Sequence, residues 1–157
     1  MALRKLASVG YCCSVIEGFV CRQVGRPGAG LIDVKIKKPK NRWLKEPEEH
    51  DYPAAASYLS LIFDETSVAR LVKKLKAAPV QKFKAKDIFR ASGLPLLGVE
   101  NSHVKKDQKK LLDGEKVSPL LLVRQPALGK LIVADGYHRI CAVYSMDEDA
   151  LIPCKIV

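Results

Sequence analysis

The stretch 131–144 (LIVADGYHRICAVY) constrains the fold of this chain more than any other. Its apolar run ends at Asp135-Gly136, and apolar side chains return at helical spacing from Ile140 onward. An apolar run, a glycine break and a helical period together predict a strand, a tight turn and a helix. The chain must therefore place a buried strand and a helix next to each other.

The predicted turn places Tyr137, His138 and Arg139 in the first turn of the helix. Backbone N–H groups have no intrahelical partner there, and the helix dipole is positive. Cationic side chains are unfavourable at this position unless an anion accompanies them. A phosphate would accept hydrogen bonds from the N–H groups and pair with Arg139, which makes this turn a candidate nucleotide site.

A second interpretation of the same residues needs no ligand. Asp135 would neutralise Arg139 locally, and Gly136 would be present only because the turn requires its backbone freedom. The residues alone leave both interpretations open.

Positive charge is concentrated at the start of the chain. Residues 1–45 contain ten Lys/Arg and two acidic residues, which gives +8 of the formal net charge of +10. The other 17 basic and 15 acidic residues leave residues 46–157 nearly neutral. This balance argues against a large DNA-binding face on the folded part of the chain.

The five cysteines form neither a CxxC pair nor a zinc-binding spacing with the three histidines. An odd number of cysteines in such a chain indicates reduced thiols. Cys141 and Cys154 lie within apolar patterns and are predicted to be packed rather than reactive. Since no apolar run is long enough for a membrane helix, we expect a cytoplasmic protein with no membrane partner.

Residues 1–50 show no sustained period and are predicted to be a basic, poorly ordered N-terminal arm. Within it, residues 35–45 form a basic run with one aromatic residue, Trp43, which is a candidate contact for nucleic acid. Val34 and Ile36 alternate with lysines, so a short edge strand is also possible there. The folded domain is predicted to span residues 51–157.

Four helices are predicted in the domain before the final one. Pro53 suits the first turn of a helix after Asp51, and Asp64 suits the cap of a second helix with an apolar stripe from Val68 to Leu75. A short helix follows over residues 86–91. Ser102 is predicted to cap a basic helix that runs to residue 113, with Val104, Leu111 and Leu112 directed inward.

Four strands accompany these helices. They are predicted at residues 80–83, 119–124, 131–134 and 152–157. The second and third are close enough in sequence to pair antiparallel, and Pro153 indicates that the last strand lies at an edge of the sheet. The order of elements predicts an α+β domain with N-terminal helices followed by a small mixed sheet with packed helices.

Residues 80–157 resemble the ParB/sulfiredoxin superfamily. The resemblance is carried by the run 118–123 (SPLLLV), by 135–142 (DGYHRICA) and by 152–156 (IPCKI). Gly136, Arg139 and Ala142 match the glycine–arginine–alanine box of ParB N-terminal domains, and Gly136, His138 and Arg139 match the ATP-binding loop of sulfiredoxins. The loop 135–139 (DGYHR) is most similar to that of the free serine kinases on this fold.

The chain also departs from these relatives. A sulfiredoxin needs a cysteine where this chain has Tyr137, so sulfiredoxin chemistry is not expected. ParB proteins carry a helix-turn-helix domain after this box; since the sequence runs only to Val157, we do not expect that means of reading a DNA site. The kinases use a further glutamate as a base, for which Glu100 is in a comparable place.

The resemblance implies a domain that binds ATP or CTP with Mg²⁺, and that hydrolyses the nucleotide or transfers its phosphoryl group to a small acceptor. The expected nucleotide-binding residues are Gly136, Tyr137, His138 and Arg139, with Ser102 and Lys105 as secondary phosphate contacts. Asp135 is expected to hold Mg²⁺ or to accept a proton, His138 to position the leaving phosphate, and Glu100 to act as a base.

The alternative is a non-catalytic ParB-like adaptor. In that case residues 35–45 would contact the phosphates of DNA, or the surface of another protein, without reading sequence. The oligomeric state and the phosphoryl acceptor are not determined by the sequence.

Overall fold

The structure, a computed structural model, describes residues 42–157. Most of the predicted basic arm, including Val34, Ile36 and three of the cysteines, lies outside the described residues. The helices are α1 Asp51–Leu59, α2 Glu65–Ala77, α3 Ala85–Ser92, α4 Ser102–Leu112 and α5 Tyr137–Met146. The strands are β1 Arg42–Trp43, β2 Val80–Lys84, β3 Lys116–Val117, β4 Leu120–Gln125, β5 Lys130–Asp135 and β6 Leu151–Ile156.

Four of the strands form a mixed sheet in the order β2-β6-β4-β5. β4 pairs antiparallel with β5, as predicted, and parallel with β6, while β2 pairs antiparallel with β6. The α+β class is thereby confirmed. β1 and β3 form a separate parallel pair, with Trp43 opposite Val117.

Helices cover both faces of this sheet. Side chains alternate between the faces of a strand, so Leu120 and Leu122 pack among α3, α4 and α5, whereas Leu121 and Val123 pack against α1 and α2. All four side chains are buried. The continuous apolar run of β4 is the pattern expected for a strand covered on both sides.

The local signals in the sequence operate at the start of α2 and at the end of α3. The Asp64 side chain accepts a hydrogen bond from the Ser67 backbone N–H at 3.0 Å and caps α2. Gly93 follows α3 in the left-handed conformation, which glycine adopts without a steric penalty.

Three details of the prediction are wrong. The cap of α4 is Asn101 rather than Ser102, because the Asn101 side chain accepts from the backbone N–H groups of His103 and Val104. Leu112 is 66% exposed instead of directed inward. Pro153 lies in β6, which is an interior strand between β2 and β4, and not at an edge.

Residues 42–50, which the sequence assigned to the arm, contact the domain. β1 pairs with β3, and Trp43 packs against the core. The buried Lys155 side chain donates to the Lys76 carbonyl oxygen at 2.8 Å and pairs with Glu46 at 2.7 Å. Residues 42–50 therefore pack against the described helices and strands.

Candidate functional site

Gly136 forms the junction between β5 and α5, as the sequence predicted. Its φ of 97° is in the left-handed region, and a Cβ at this position would lie 2.3 Å from Leu120 Cδ2 and 3.3 Å from Arg139 Nε. Both the backbone conformation and the lack of space therefore require glycine. The close approach also lets the Arg139 side chain fold back across the turn.

The Arg139 guanidinium is bound by the protein itself. Its side chain is 13% exposed and pairs with Asp135 and, at 3.3 Å, with Asp51. It also donates a hydrogen bond to the Ser118 carbonyl oxygen at 2.7 Å. This is the arrangement expected from the second interpretation of the sequence, in which Asp135 neutralises Arg139. Asp51 adds a partner that the sequence analysis missed.

Asp51 is a buried residue that contacts both Ser118, between β3 and β4, and Arg139 of α5. Its carboxylate accepts hydrogen bonds from the Ser118 hydroxyl and, at 3.0 Å, from the Glu48 backbone N–H, in addition to pairing with Arg139. Asp51 begins α1, whereas Arg139 lies in α5, 88 residues later. A local sequence pattern does not predict a contact between residues so far apart. An aspartate at the start of a helix is ordinarily a cap.

The site contains one guanidinium between two carboxylates. Burial raises the pKa of Asp135 above its ordinary value, the positive charge of Arg139 opposes that rise, and the nearby Asp51 carboxylate adds to it. At Asp135 the effect of burial on the pKa is therefore larger than the opposing effect of the Arg139 charge. A carboxyl group with a raised pKa is better suited to accept a proton than an ordinary surface aspartate.

A cleft of about 640 Å³ opens at this junction. Residues 135–139 line one wall, and Tyr58 and Leu94 supply part of its apolar surface. Lys110 of α4 and Lys116 of β3 also line it. The volume lies within the range of about 300–1,000 Å³ that is typical of small-molecule sites.

The amino end of α5 faces this cleft with unused donors. The first backbone hydrogen bond at this end of the helix runs from the Ile140 N–H to the Gly136 carbonyl oxygen. Among residues 42–157, none accepts a hydrogen bond from the N–H groups of Tyr137, His138 or Arg139. These three donors and the positive end of the helix dipole are the features that bind anions at helix N-termini.

Aromatic side chains fix the rim of the cleft. The imidazole of His138 stacks on that of His103 in α4, with 4.8 Å between ring centroids. The Tyr137 hydroxyl donates to the Pro95 carbonyl oxygen, and burial raises the pKa of Tyr137. Tyr137 and His138 are therefore held by the loop before α4 and by α4 itself.

Three predicted site residues are not brought to the cleft. Glu100, Ser102 and Lys105 are exposed and do not line it. Lys110, in the last turn of α4, lines the cleft instead. A helical period alone does not identify which lysine of a basic helix faces a ligand.

One cluster among the described residues has the composition of a metal site. The ligand atoms of Glu48, His50 and Asp51 lie within 4.8 Å of one another, and all three residues line the cleft. The Asp51 carboxylate is already engaged by Ser118 and Arg139. Asp135, the predicted Mg²⁺ ligand, does not belong to this cluster.

Cys141 and Cys154 are buried, as predicted, and do not take part in the site. Burial raises the pKa of both thiols, to about 12 for Cys154. A thiol is reactive as its thiolate, so both side chains are packing residues.

Comparison of the chain with protein-family models, with curated proteins and with solved structures finds no match. No helix among residues 42–157 is long and apolar enough to cross a membrane. A function is therefore inferred below from the geometry of the cleft.

Proposed function

We propose that this chain binds the phosphates of a nucleotide, ATP or CTP, at the amino end of α5. The observation that carries the proposal is the set of unused N–H donors of Tyr137 and His138, which face a cleft lined by Lys110 and Lys116. The backbone donors and the ammonium groups of Lys110 and Lys116 would hold the phosphate oxygens, within a cleft that Glu48, Asp51, Asp107 and Asp135 also line.

In this proposal Arg139 orients Asp51 and Asp135 through its guanidinium and does not bind the phosphate. Its guanidinium is shared between Asp51 and Asp135, so a phosphate could bind it only by displacing a carboxylate. The ion pair between Arg139 and Asp135 fixes the turn at Gly136. This turn leaves the backbone N–H groups of Tyr137 and His138 free to bind phosphate. This differs from the role that the resemblance assigned to Arg139.

The chemical step we propose is hydrolysis, or transfer of the phosphoryl group to a small acceptor. Asp135 accepts the proton of the attacking hydroxyl, because its raised pKa favours that role. His138 donates a hydrogen bond to a phosphate oxygen. Alternatively, Asp135 would hold Mg²⁺, which prefers carboxylate and phosphate oxygens, and the metal would neutralise charge on the transferring group.

The proposal includes a ParB/sulfiredoxin-like fold for residues 80–157. Three features support it: the β4–β5 hairpin precedes α5, the glycine turn lies between β5 and α5, and β6 returns parallel to β4. Glu100, which the resemblance offered as a base, has no place in the proposed mechanism because it does not line the cleft.

The test is calorimetric titration of the full chain with ATP, CTP and ADP in the presence of Mg²⁺. Lys110→Gln should weaken binding about tenfold, which is the effect of losing one charge-assisted hydrogen bond. Lys109→Gln is the matched control, since Lys109 precedes Lys110 on α4 but does not line the cleft.

The outcomes separate binding from catalysis. Equal loss in both lysine variants would mean that nucleotides bind the basic face of α4 non-specifically, and the proposed site would be wrong. Binding without phosphate release or transfer would support the proposed binding site and would show that the proposed catalytic step is wrong. No binding of any nucleotide at millimolar concentration would overturn the proposal as a whole.

A further inference from the structure

A second cavity, of about 490 Å³, lies on the face of the sheet that α3 covers. It shares no lining residue with the cleft at α5. Its walls are apolar: Phe83 of β2, Ile88 of α3 and Leu122 of β4 contribute, with Leu131 and Ile156 from the flanking strands. The proposed nucleotide site therefore makes no use of it.

Two cationic residues also line this cavity. Arg124 lies near the end of β4 and Lys130 begins β5, so the β4–β5 hairpin presents both. No acidic residue among residues 42–157 forms an ion pair with either of them. Asp87 is the acidic residue of the lining, and its carboxylate is 3.6 Å from the Arg90 guanidinium on the same helix.

We propose that this cavity binds a small amphipathic anion, with an apolar chain or ring inside and a carboxylate at Arg124 and Lys130. The apolar walls favour removal of hydrocarbon from water. The planar Arg124 guanidinium matches the geometry of a carboxylate, and Lys130 adds a second positive charge. A neutral ligand would leave both charges unused, and a cationic ligand would be repelled.

Three ligands with the same eight-carbon chain test the role of charge: octanoate, octan-1-ol and octylammonium. Each is titrated into the isotopically labelled full chain and followed by backbone amide chemical shifts. Octanoate should bind saturably with shifts in β4, β5 and α3, and octan-1-ol and octylammonium at least about tenfold more weakly.

Charge variants identify the head-group contact. Arg124→Gln and Lys130→Gln should each weaken octanoate about tenfold while leaving octan-1-ol unchanged. Lys82→Gln is the matched control: Lys82 is adjacent to Phe83 on β2, so its side chain lies on the opposite face of the sheet. It should leave octanoate binding unchanged.

A steric variant tests the location of the chain. Ala91 is exposed and lines the cavity, so Ala91→Phe should fill it without disturbing the core and abolish octanoate binding. The proposal is overturned by the absence of saturable octanoate shifts, by equal affinity for octanoate and octan-1-ol, or by full octanoate binding in Ala91→Phe.

Discussion

Replacing Arg139 with methionine tests whether its guanidinium holds the site together without a ligand. Methionine retains most of the apolar stem and removes the charge, which leaves Asp51 and Asp135 without their cation. Their side chains are only 5% and 20% exposed. Removing one partner of a buried ion pair costs about 3–5 kcal/mol, because a buried charge is left uncompensated.

We therefore expect Arg139→Met to lower the free energy of unfolding by about 3 kcal/mol, the lower end of that range, since Asp135 retains some contact with solvent. The measurement is equilibrium unfolding in urea, without nucleotide. Arg90→Met is the matched control: the Arg90 side chain is 82% exposed and lies 3.6 Å from Asp87. An exposed pair contributes about 0–1 kcal/mol.

Adding Asp51→Asn and Asp135→Asn to Arg139→Met removes the uncompensated charges. This triple variant should recover part of the lost stability, although each single aspartate variant disrupts the network. A decrease in the free energy of unfolding of less than about 1 kcal/mol in Arg139→Met, as expected of Arg90→Met, would instead show that the Arg139 guanidinium does not stabilise the two carboxylates. The interpretation in which Arg139 binds phosphate directly would then be favoured.

Three further predictions concern the same region and the core. Gly136→Ala should destabilise the protein by about 1–3 kcal/mol more than Gly93→Ala, because only the first also collides with Leu120; both are compared by urea unfolding. Since the pKa of Asp135 is raised, its contribution to stability is complete below the ordinary value of 3.8 and is lost as the pH rises through the raised pKa. The free energy of unfolding of the wild type minus that of Asp135→Asn should therefore decrease as the pH increases above 3.8, and a difference independent of pH would contradict it. Cys154, whose pKa is raised to about 12, should resist iodoacetamide at pH about 8 in the native state and react in urea, as followed by peptide mass spectrometry; rapid native alkylation would show that the thiol is accessible.

The parts of the fold that the sequence predicts are those encoded by neighbouring residues. The α2 cap at Asp64 and the turn at Gly136 each follow from a side chain and the few positions around it. The antiparallel β4–β5 pair follows in the same way from two apolar runs with a short connection. Residues 131–144 accordingly form the strand, turn and helix that the sequence predicts.

The parts that failed depend on tertiary contacts. Because proline lacks an N–H donor, Pro153 indicates an edge strand, yet β6 is interior, since β2 pairs with it and places Lys82 opposite Pro153. Asp51 resembles a helix-starting residue, and its contact with Arg139 exists only once α1 packs beside the sheet. For the same reason, the sequence does not decide whether Arg139 binds a phosphate or is neutralised by Asp135.

The most direct test of the central claim is a titration of the labelled chain with ATP and Mg²⁺, followed at the backbone amides of Tyr137 and His138. If phosphate accepts hydrogen bonds from these groups, both amide signals should shift saturably and with the same dissociation constant. A titration in which they stay unchanged, or in which shifts spread over the exposed lysines of α2 and α4, would contradict a phosphate site at the amino end of α5.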